Sequence, residues 1–209
     1  MIITRTPLRV SLFGGGTDYP AYFHHNNGAI LGGTIDKYVY VCVNDLATIA
    51  TESFRIQYKI TQSVDSISEI EHPVVQAVLN YFEWSKKLNI STVSDLPGST
   101  GLGSSSSFTV GLLKALFVKK HVSIDNLDLA KLAIEVEQKY LGEKVGVQDQ
   151  LHATFGGFSR YNFFQDSISK GVHNIKSDRI NILNKSSVLI YTGELRAASS
   201  VLVQQNART

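Results

Sequence analysis

The 209-residue sequence contains one cysteine, Cys42, and this scarcity removes whole classes of architecture. A single thiol cannot close an intramolecular disulfide or build a multi-cysteine metal site. Cys42 lies in the apolar run Tyr38-Val39-Tyr40-Val41-Cys42-Val43, the setting of a buried structural thiol and not of a reactive one. There are only four prolines, no internal repeat and no low-complexity linker. Charge of one sign is lacking too. The net charge is +2, which gives no general attraction to nucleic acid or to an anionic membrane. The nearest approach to a basic cluster, Lys119-Lys120 beside Lys114, reads as the solvated side of a helix. No window approaches the roughly 18 uninterrupted apolar residues of a membrane span. Met1-Ile2-Ile3-Thr4-Arg5-Thr6-Pro7 lacks the long apolar core of a signal peptide. The expectation is a soluble, cytoplasmic protein with no nucleic-acid or membrane partner.

Hydrophobic residues make up 43% of the chain and charged ones 18%. That balance supports one substantial core, or one domain and part of a second. β-Branched and aromatic residues concentrate in the first half. Strands are expected at Arg9–Phe13, Ala29–Leu31, Tyr38–Val43, Ala47–Thr51 and Phe54–Ile60. His72-Pro73 opens a helix expected to reach about Leu88, with Val74, Val78, Leu79 and Phe82 on one face. A strand at Ser91–Leu96 should follow, then a helix from Ser104 to Lys120 with Phe108, Leu112, Leu113 and Leu116 as its apolar stripe. Asp125-Asn126 caps a further helix to about Leu141, with Leu129, Leu132, Ala133 and Val136 inward. The remaining expected elements are a short helix Val147–Thr154, strands at Phe158–Phe163 and Val188–Tyr191, and a helix at Ala197–Gln205. Strands first and helices later indicate an α+β architecture.

The most informative stretch is Pro97-Gly98-Ser99-Thr100-Gly101-Leu102-Gly103-Ser104-Ser105-Ser106-Ser107. Its glycines let the backbone turn tightly and come close to a ligand. The serines begin a helix whose first N–H groups are unpaired and whose dipole favours an anion. Strand, glycine turn and helix N-terminus together make a phosphate cradle. Gly98 and Gly103 have the spacing of P-loop glycines, but Ser104 stands where that loop requires lysine. Ser106 occupies the place of the last glycine in the dinucleotide and protein-kinase patterns, so those fail as well. A flexible linker is the bland alternative, opposed by Pro97, Leu102 and the amphipathic helix that follows at once.

Pro97 with Gly101-Leu102-Gly103-Ser104-Ser105-Ser106 resembles the second signature motif of the GHMP kinases, the superfamily of galactokinase, homoserine kinase, mevalonate kinase and phosphomevalonate kinase. Thr6-Pro7-Leu8-Arg9-Val10-Ser11-Leu12-Phe13-Gly14-Gly15-Gly16-Thr17-Asp18-Tyr19-Pro20 is similar to the N-terminal motif of its sugar-kinase branch. Glu137 followed by Gly146-Val147-Gln148-Asp149-Gln150 resembles the metal ligand and catalytic aspartate. Within the branch, Gly14–Tyr19 and Gln148–Leu151 most resemble the D-glycero-D-manno-heptose 7-phosphate kinases, with fucose kinases close behind. The resemblance covers essentially the whole chain, and three ordered motifs make it specific. It implies a ribosomal protein S5 domain 2-like fold and ATP- and Mg²⁺-dependent phosphoryl transfer to a sugar or sugar phosphate. The implied substrate is a heptose 7-phosphate, at its anomeric hydroxyl. A fucokinase-like or galactokinase-like enzyme, or an inactive nucleotide- or sugar-binding module, is the alternative.

By this resemblance Pro97, Gly98, Ser99, Gly101, Leu102, Gly103, Ser104, Ser105 and Ser106 bind the nucleotide, and the Ser104 hydroxyl and Glu137 carboxylate hold Mg²⁺. Both are hard oxygen donors, as that ion requires. Ser104 could equally be a helix cap, and Glu137 a solvated helix position; Glu135 lies on another face. Asp149 is expected as the base for the sugar hydroxyl, or else as an N-cap, with Arg9 as its electrostatic partner. Gly16, Thr17, Asp18 and Tyr19 are expected to meet the sugar, a turn-stabilising role being the competitor for Asp18. Arg5, Lys37 and Arg196 are unranked candidates for a substrate phosphate. His24-His25 reads as an exposed pair and not as a metal site.

The family has a second lobe with a third glycine-rich motif. After Gly157 this sequence has only Gly171 and Gly193. Tyr191-Thr192-Gly193 and Arg196-Ala197-Ala198-Ser199 resemble that lobe's opening strand and helix. The expected layout is therefore an ATP- and substrate-binding domain over residues 1–185, then the start of a ferredoxin-like lobe over 186–209. A second copy or another partner would be needed to cover the surface that the lobe would bury.

Overall fold

A computed structural model describes residues 1–165, 167–171 and 175–191. In chain order its elements are β1 (Ile2–Phe13), α1 (Pro20–Phe23), β2 (Gly28–Asp45), β3 (Phe54–Gln57) and β4 (Thr61–Val64). These are followed by α2 (Pro73–Tyr81), β5 (Leu88–Ser94), α3 (Ser104–Lys119), α4 (Asn126–Glu135), α5 (Gln148–Phe155), β6 (Phe158–Phe164), β7 (Ser167–Lys170) and α6 (Ser177–Lys185). The seven strands form one sheet in the order β4-β3-β5-β2-β6-β7, with β1 on the other edge of β2. All pairs are antiparallel except β3 with β5. This is the expected α+β fold.

The long strand β2 organises the sheet. The glycines at 32 and 33 read as an interruption, yet Gly28–Asp45 is continuous because β1 pairs with it from Val43 to Leu31. On its other edge β5 takes Val39–Asp45 and β6 takes Gly28–Gly33. The gap between those two partners is closed by Thr34 N–H to Gly157 O at 3.0 Å and Tyr38 N–H to Asp95 Oδ2 at 2.8 Å. β1 therefore runs past both of these segments of β2 and carries Arg9 opposite Thr34, between them.

α3 packs on β1 and β2. Phe108, Leu112, Leu113 and Leu116 are buried as their spacing indicates, but Ser106, Ser107, Thr109, Val110 and Ala115 are buried too. The helix is enclosed, not laid on a surface, because α4 and α5 cover its outer side. Thr4 on β1 donates to Gly111 O (3.0 Å), and Ser107 Oγ donates to Pro7 O (2.8 Å). Those bonds satisfy polar groups that burial would otherwise penalise. Val74, Val78 and Leu79 of α2, and Phe82 at its C-cap, are buried in the core. In α4 Asp125 caps by accepting from Asp128 N–H, and Leu129, Leu132, Ala133 and Val136 are buried.

Several expectations are corrected. Ala47–Thr51 is a turn and not a strand, with Ile49 90% exposed. Phe54–Ile60 stops at Gln57 and returns as β4, a hairpin not foreseen. α2 ends at Tyr81, well before Leu88, which begins β5. Its end is a Schellman turn: Glu83 adopts φ 47° while Trp84 N–H bonds Leu79 O and Glu83 N–H bonds Asn80 O. α3 ends the same way around His121, φ 58°. Glycine is the usual signal for this turn, so its use of Glu83 hid the end of α2, whereas α3 stops at Lys119, within one residue of the expected Lys120. The helix from Asn126 leaves α geometry after Glu135 and continues as a π-turn, Val136–Tyr140. Val188–Tyr191 is exposed and is not a strand, and the Ala197–Gln205 helix lies outside the described residues.

Two substitutions separate core from turn. Leu112→Ala should lower the unfolding free energy by about 2–5 kcal/mol, since Leu112 is fully buried in α3. Ile49→Ala should change it by less than about 0.5 kcal/mol. Urea unfolding of the two variants checks both.

Candidate active site

The chain leaves β5 at Ser94 and enters the loop through Pro97, Gly98 and Ser99, which are exposed. Ser99, Gly101 and Gly103 adopt φ of 61°, 74° and 74°. Gly103 is the N-cap of α3, in left-handed geometry and with no side chain to cap the helix. Ser104 is therefore the first helical residue, which corrects the reading of it as a cap. The helix opens toward the loop with uncapped N–H groups, an arrangement that favours an anion. A Cβ on Gly103 would sit 3.2 Å from Asp149 Oδ2 and 3.4 Å from Arg9 Cγ, so any larger residue would crowd the site.

Arg9 binds this loop to Asp149. Its backbone N–H donates to Leu102 O at 3.1 Å, and Nη1 donates to Gly101 O at 2.6 Å. Nε donates to Asp149 Oδ1 at 2.8 Å, with Nη2 2.6 Å from the same oxygen. The two side chains are 11% and 25% exposed, so water screens the pair only partly. Asp149 is the second residue of α5, whose N-cap is Val147; Asp149 is not a cap. One of its oxygens is held by Arg9, and the other faces Gly103.

Asp18 is fully buried. Oδ1 accepts from Gly16 N–H at 3.0 Å and Oδ2 from Gln148 N–H at 3.2 Å. The carboxylate thus holds its own turn and the first N–H of α5, in the turn-stabilising role that competed with sugar binding. Burial raises its pKa, against the two backbone donors. The fit is so close that a Cβ on Gly146 would lie 2.0 Å from Asp18 Oδ2. Thr17 is also engaged, donating within hydrogen-bond distance of Gly14 O and Ala29 O and accepting from Ala29 N–H. Gly16 has open space on its Cβ side. The Tyr19 hydroxyl is pushed up to about 12, first by burial and then by Asp18 and Asp149. It stays protonated, and so able to donate, at neutral pH.

Glu137 is buried on the π-turn. Oε2 accepts from Ser106 Oγ at 2.9 Å and from Gln150 Nε2 at 2.5 Å. The serine in direct contact with Glu137 is thus Ser106. Burial pushes Glu137 up to about 7, although nearby Thr109, Ser106 and Gln150 favour its charged form; the Thr109 hydroxyl itself donates to Ser105 O at 3.2 Å and not to the carboxylate. Oε1 is buried without a donor. An unmatched hard oxygen beside an anion-attracting helix end fits a divalent cation held jointly with phosphate oxygens. Lys139 pairs with Glu135, away from this carboxylate.

Arg5 lies over the Tyr38 ring, Lys37 pairs with Asp36, and Arg196 is outside the described residues. His24 and His25 are exposed, as read from the sequence. Sequence reasoning missed the contact of Gln150 with Glu137, because its motif was read only for its aspartate, and it did not single out His152, which follows that motif. His152, one turn after Asp149, is fully buried with neither ring nitrogen bonded. Burial, with Arg9 and Lys170 adding, lowers its pKa from 6.5 to about 4. The folded state then binds fewer protons than the unfolded one between those values. Stability is lost as the pH falls from about 6.5 through about 4, by at most about 3 kcal/mol. His152→Leu should remove this component. Urea unfolding at pH 7 and pH 4 should show the variant gaining on the wild type at the lower pH, and a constant gap would refute the assignment.

Comparison with known proteins agrees with the fold. The pattern described as the GHMP kinases N terminal domain matches residues 70–157, from just before α2 through the loop, Glu137 and Asp149 to Gly157. The D-glycero-alpha-D-manno-heptose 7-phosphate kinase of Campylobacter jejuni is 32% identical over 218 aligned positions, covering 96% of this chain and 62% of that protein. A galactokinase of Thermotoga maritima is 26% identical over 158 positions, 73% of this chain and 43% of its own. Among solved structures, a D-glycero-D-manno-heptose 1-phosphate kinase from Bacteriodes thetaiotaomicron superposes with a TM-score of 0.77 at 29% identity, over 87% of this chain and 62% of that one. The chain thus spans less than two thirds of these relatives. Loop, fold and relatives agree that this chain contains a GHMP kinase N-terminal domain.

Proposed function

We propose that this domain supports ATP- and Mg²⁺-dependent phosphoryl transfer to a sugar phosphate, with D-glycero-D-manno-heptose 7-phosphate accepting at its anomeric hydroxyl. The observation that carries the proposal is Asp149, held by Arg9 at 2.8 Å against the uncapped N-terminus of α3. The 32% identity to a heptose 7-phosphate kinase favours that substrate over a neutral sugar. We assign the nucleotide and substrate site to residues 1–185, and read 186–209 as the opening of the family's second lobe.

In this reading the loop from Pro97 to Ser106 holds the triphosphate through backbone N–H groups. Ser104 and Glu137 would hold Mg²⁺, which when bound offsets charge on the phosphate oxygens. Asp149 Oδ2, free of Arg9, accepts the proton of the attacking hydroxyl. An oxygen–phosphorus bond forms to the γ-phosphorus as its bond to the bridging oxygen breaks, and ADP leaves with that electron pair. Arg9 keeps Asp149 oriented and places positive charge beside the loop. Asp18 and Thr17 fix the turn that presents Gly16 and Tyr19 to the sugar.

Two measurements test this on the full chain. With ATP and Mg²⁺, ADP release should be seen with heptose 7-phosphate and not with fucose or galactose. Turnover on a neutral sugar alone would overturn the substrate, and nucleotide binding without any turnover would favour a binding module. Asp149→Asn should cut turnover by about 10²- to 10⁴-fold with little change in nucleotide affinity. An active variant would remove Asp149 from the mechanism.

A further inference from the structure

We infer that Gln150 is a positioning residue that aims Glu137 at the phosphate loop and ties it to the helix carrying Asp149. The inference rests on the reading of Glu137 as a cation ligand. Asp149 and Gln150 are consecutive on α5, so their side chains leave the helix about 100° apart. Asp149 reaches Arg9 on β1, while Gln150 reaches inward to Glu137. One helical turn therefore holds both acidic groups of the site.

The hydrogen bonding explains how Glu137 is aimed. Its Oε2 receives Gln150 Nε2 at 2.5 Å and Ser106 Oγ at 2.9 Å, from two different helices. Two donors on one oxygen fix the rotation of the carboxylate, and hence the direction of Oε1. Oε1 is buried and has no donor among the described residues. Glu137 itself lies on the π-turn and not in a regular helix.

Packing alone does not account for Gln150. The residue is fully buried, and its own Oε1 has no partner. Leucine or methionine would fill the same space without stranding a carbonyl, which is costly to bury. What the amide adds is the bond to Glu137. Groups that orient a metal ligand in this way typically change metal affinity by about 10- to 100-fold when removed.

The test measures Mn²⁺ affinity from the free-ion paramagnetic resonance signal, in the presence of a non-hydrolysable ATP analogue, for the full chain. Gln150→Met, Glu137→Gln and the double variant are compared, with a thermal melt of each. Gln150→Met should weaken Mn²⁺ binding about tenfold and should cause no further loss in the Glu137→Gln background, because it acts through that carboxylate. If Glu137→Gln weakens binding but Gln150→Met does not, the inference on Gln150 is wrong and the cation reading stands. An equal loss in both backgrounds would also overturn it, as a general structural effect. Unaltered Mn²⁺ binding in Glu137→Gln would overturn the cation reading and this inference together. Should Gln150→Met fail to fold, Gln150→Leu gives the same comparison.

Discussion

Arg9 bonds to residues 92 and 140 positions away in the chain, Gly101 and Asp149. Its backbone N–H binds the same loop at Leu102. Without this guanidinium the loop carbonyl and the Asp149 carboxylate would face each other with no positive charge between them. A cation in that position lets a carboxylate stand beside the uncapped N-terminus of α3 and its loop. Arg9 can hold it because β1 is paired along almost its full length with β2, which fixes the origin of a long side chain.

The second organising element is α5. Its first N–H is bound by Asp18, its second residue is Asp149, its third contacts Glu137, and His152 is buried one turn on. Among the described residues, eight buried side-chain polar atoms lack a partner, and six of them belong to Glu137 and α5. Interiors normally satisfy such groups. Their concentration here sets this region apart from the α2–α3 core, which is apolar. Burial also explains the raised acids, Asp18 and Glu137, and the lowered His152.

Much of this was legible in the sequence where one residue type has one physical use. The glycine-serine loop, the start of α3 at Ser104, the Asp125 cap and the inward faces of α2, α3 and α4 all follow from local rules. The pairing of Arg9 with Asp149 came from resemblance, and the geometry then supplied its bonds. Failures fall where a rule was used in unusual form. Glu83 takes the left-handed turn that glycine signals, so α2 ends earlier than its pattern indicated. Gly32 and Gly33 sit inside a strand because β1 and β6 flank them.

The sequence by itself determined the class of fold, the anion-cradling loop and the acidic residues available to act beside it. These depend on local backbone preference and on side-chain chemistry, which neighbours in the chain reveal. Only the tertiary structure decided which oxygen of each acid is engaged and by what. It set Asp18 to holding a turn, joined Glu137 to Ser106 and Gln150, and left one oxygen of Asp149 facing Gly103. Such assignments require distances between residues far apart in the chain, and those distances exist only once β1, α3 and α5 have packed together.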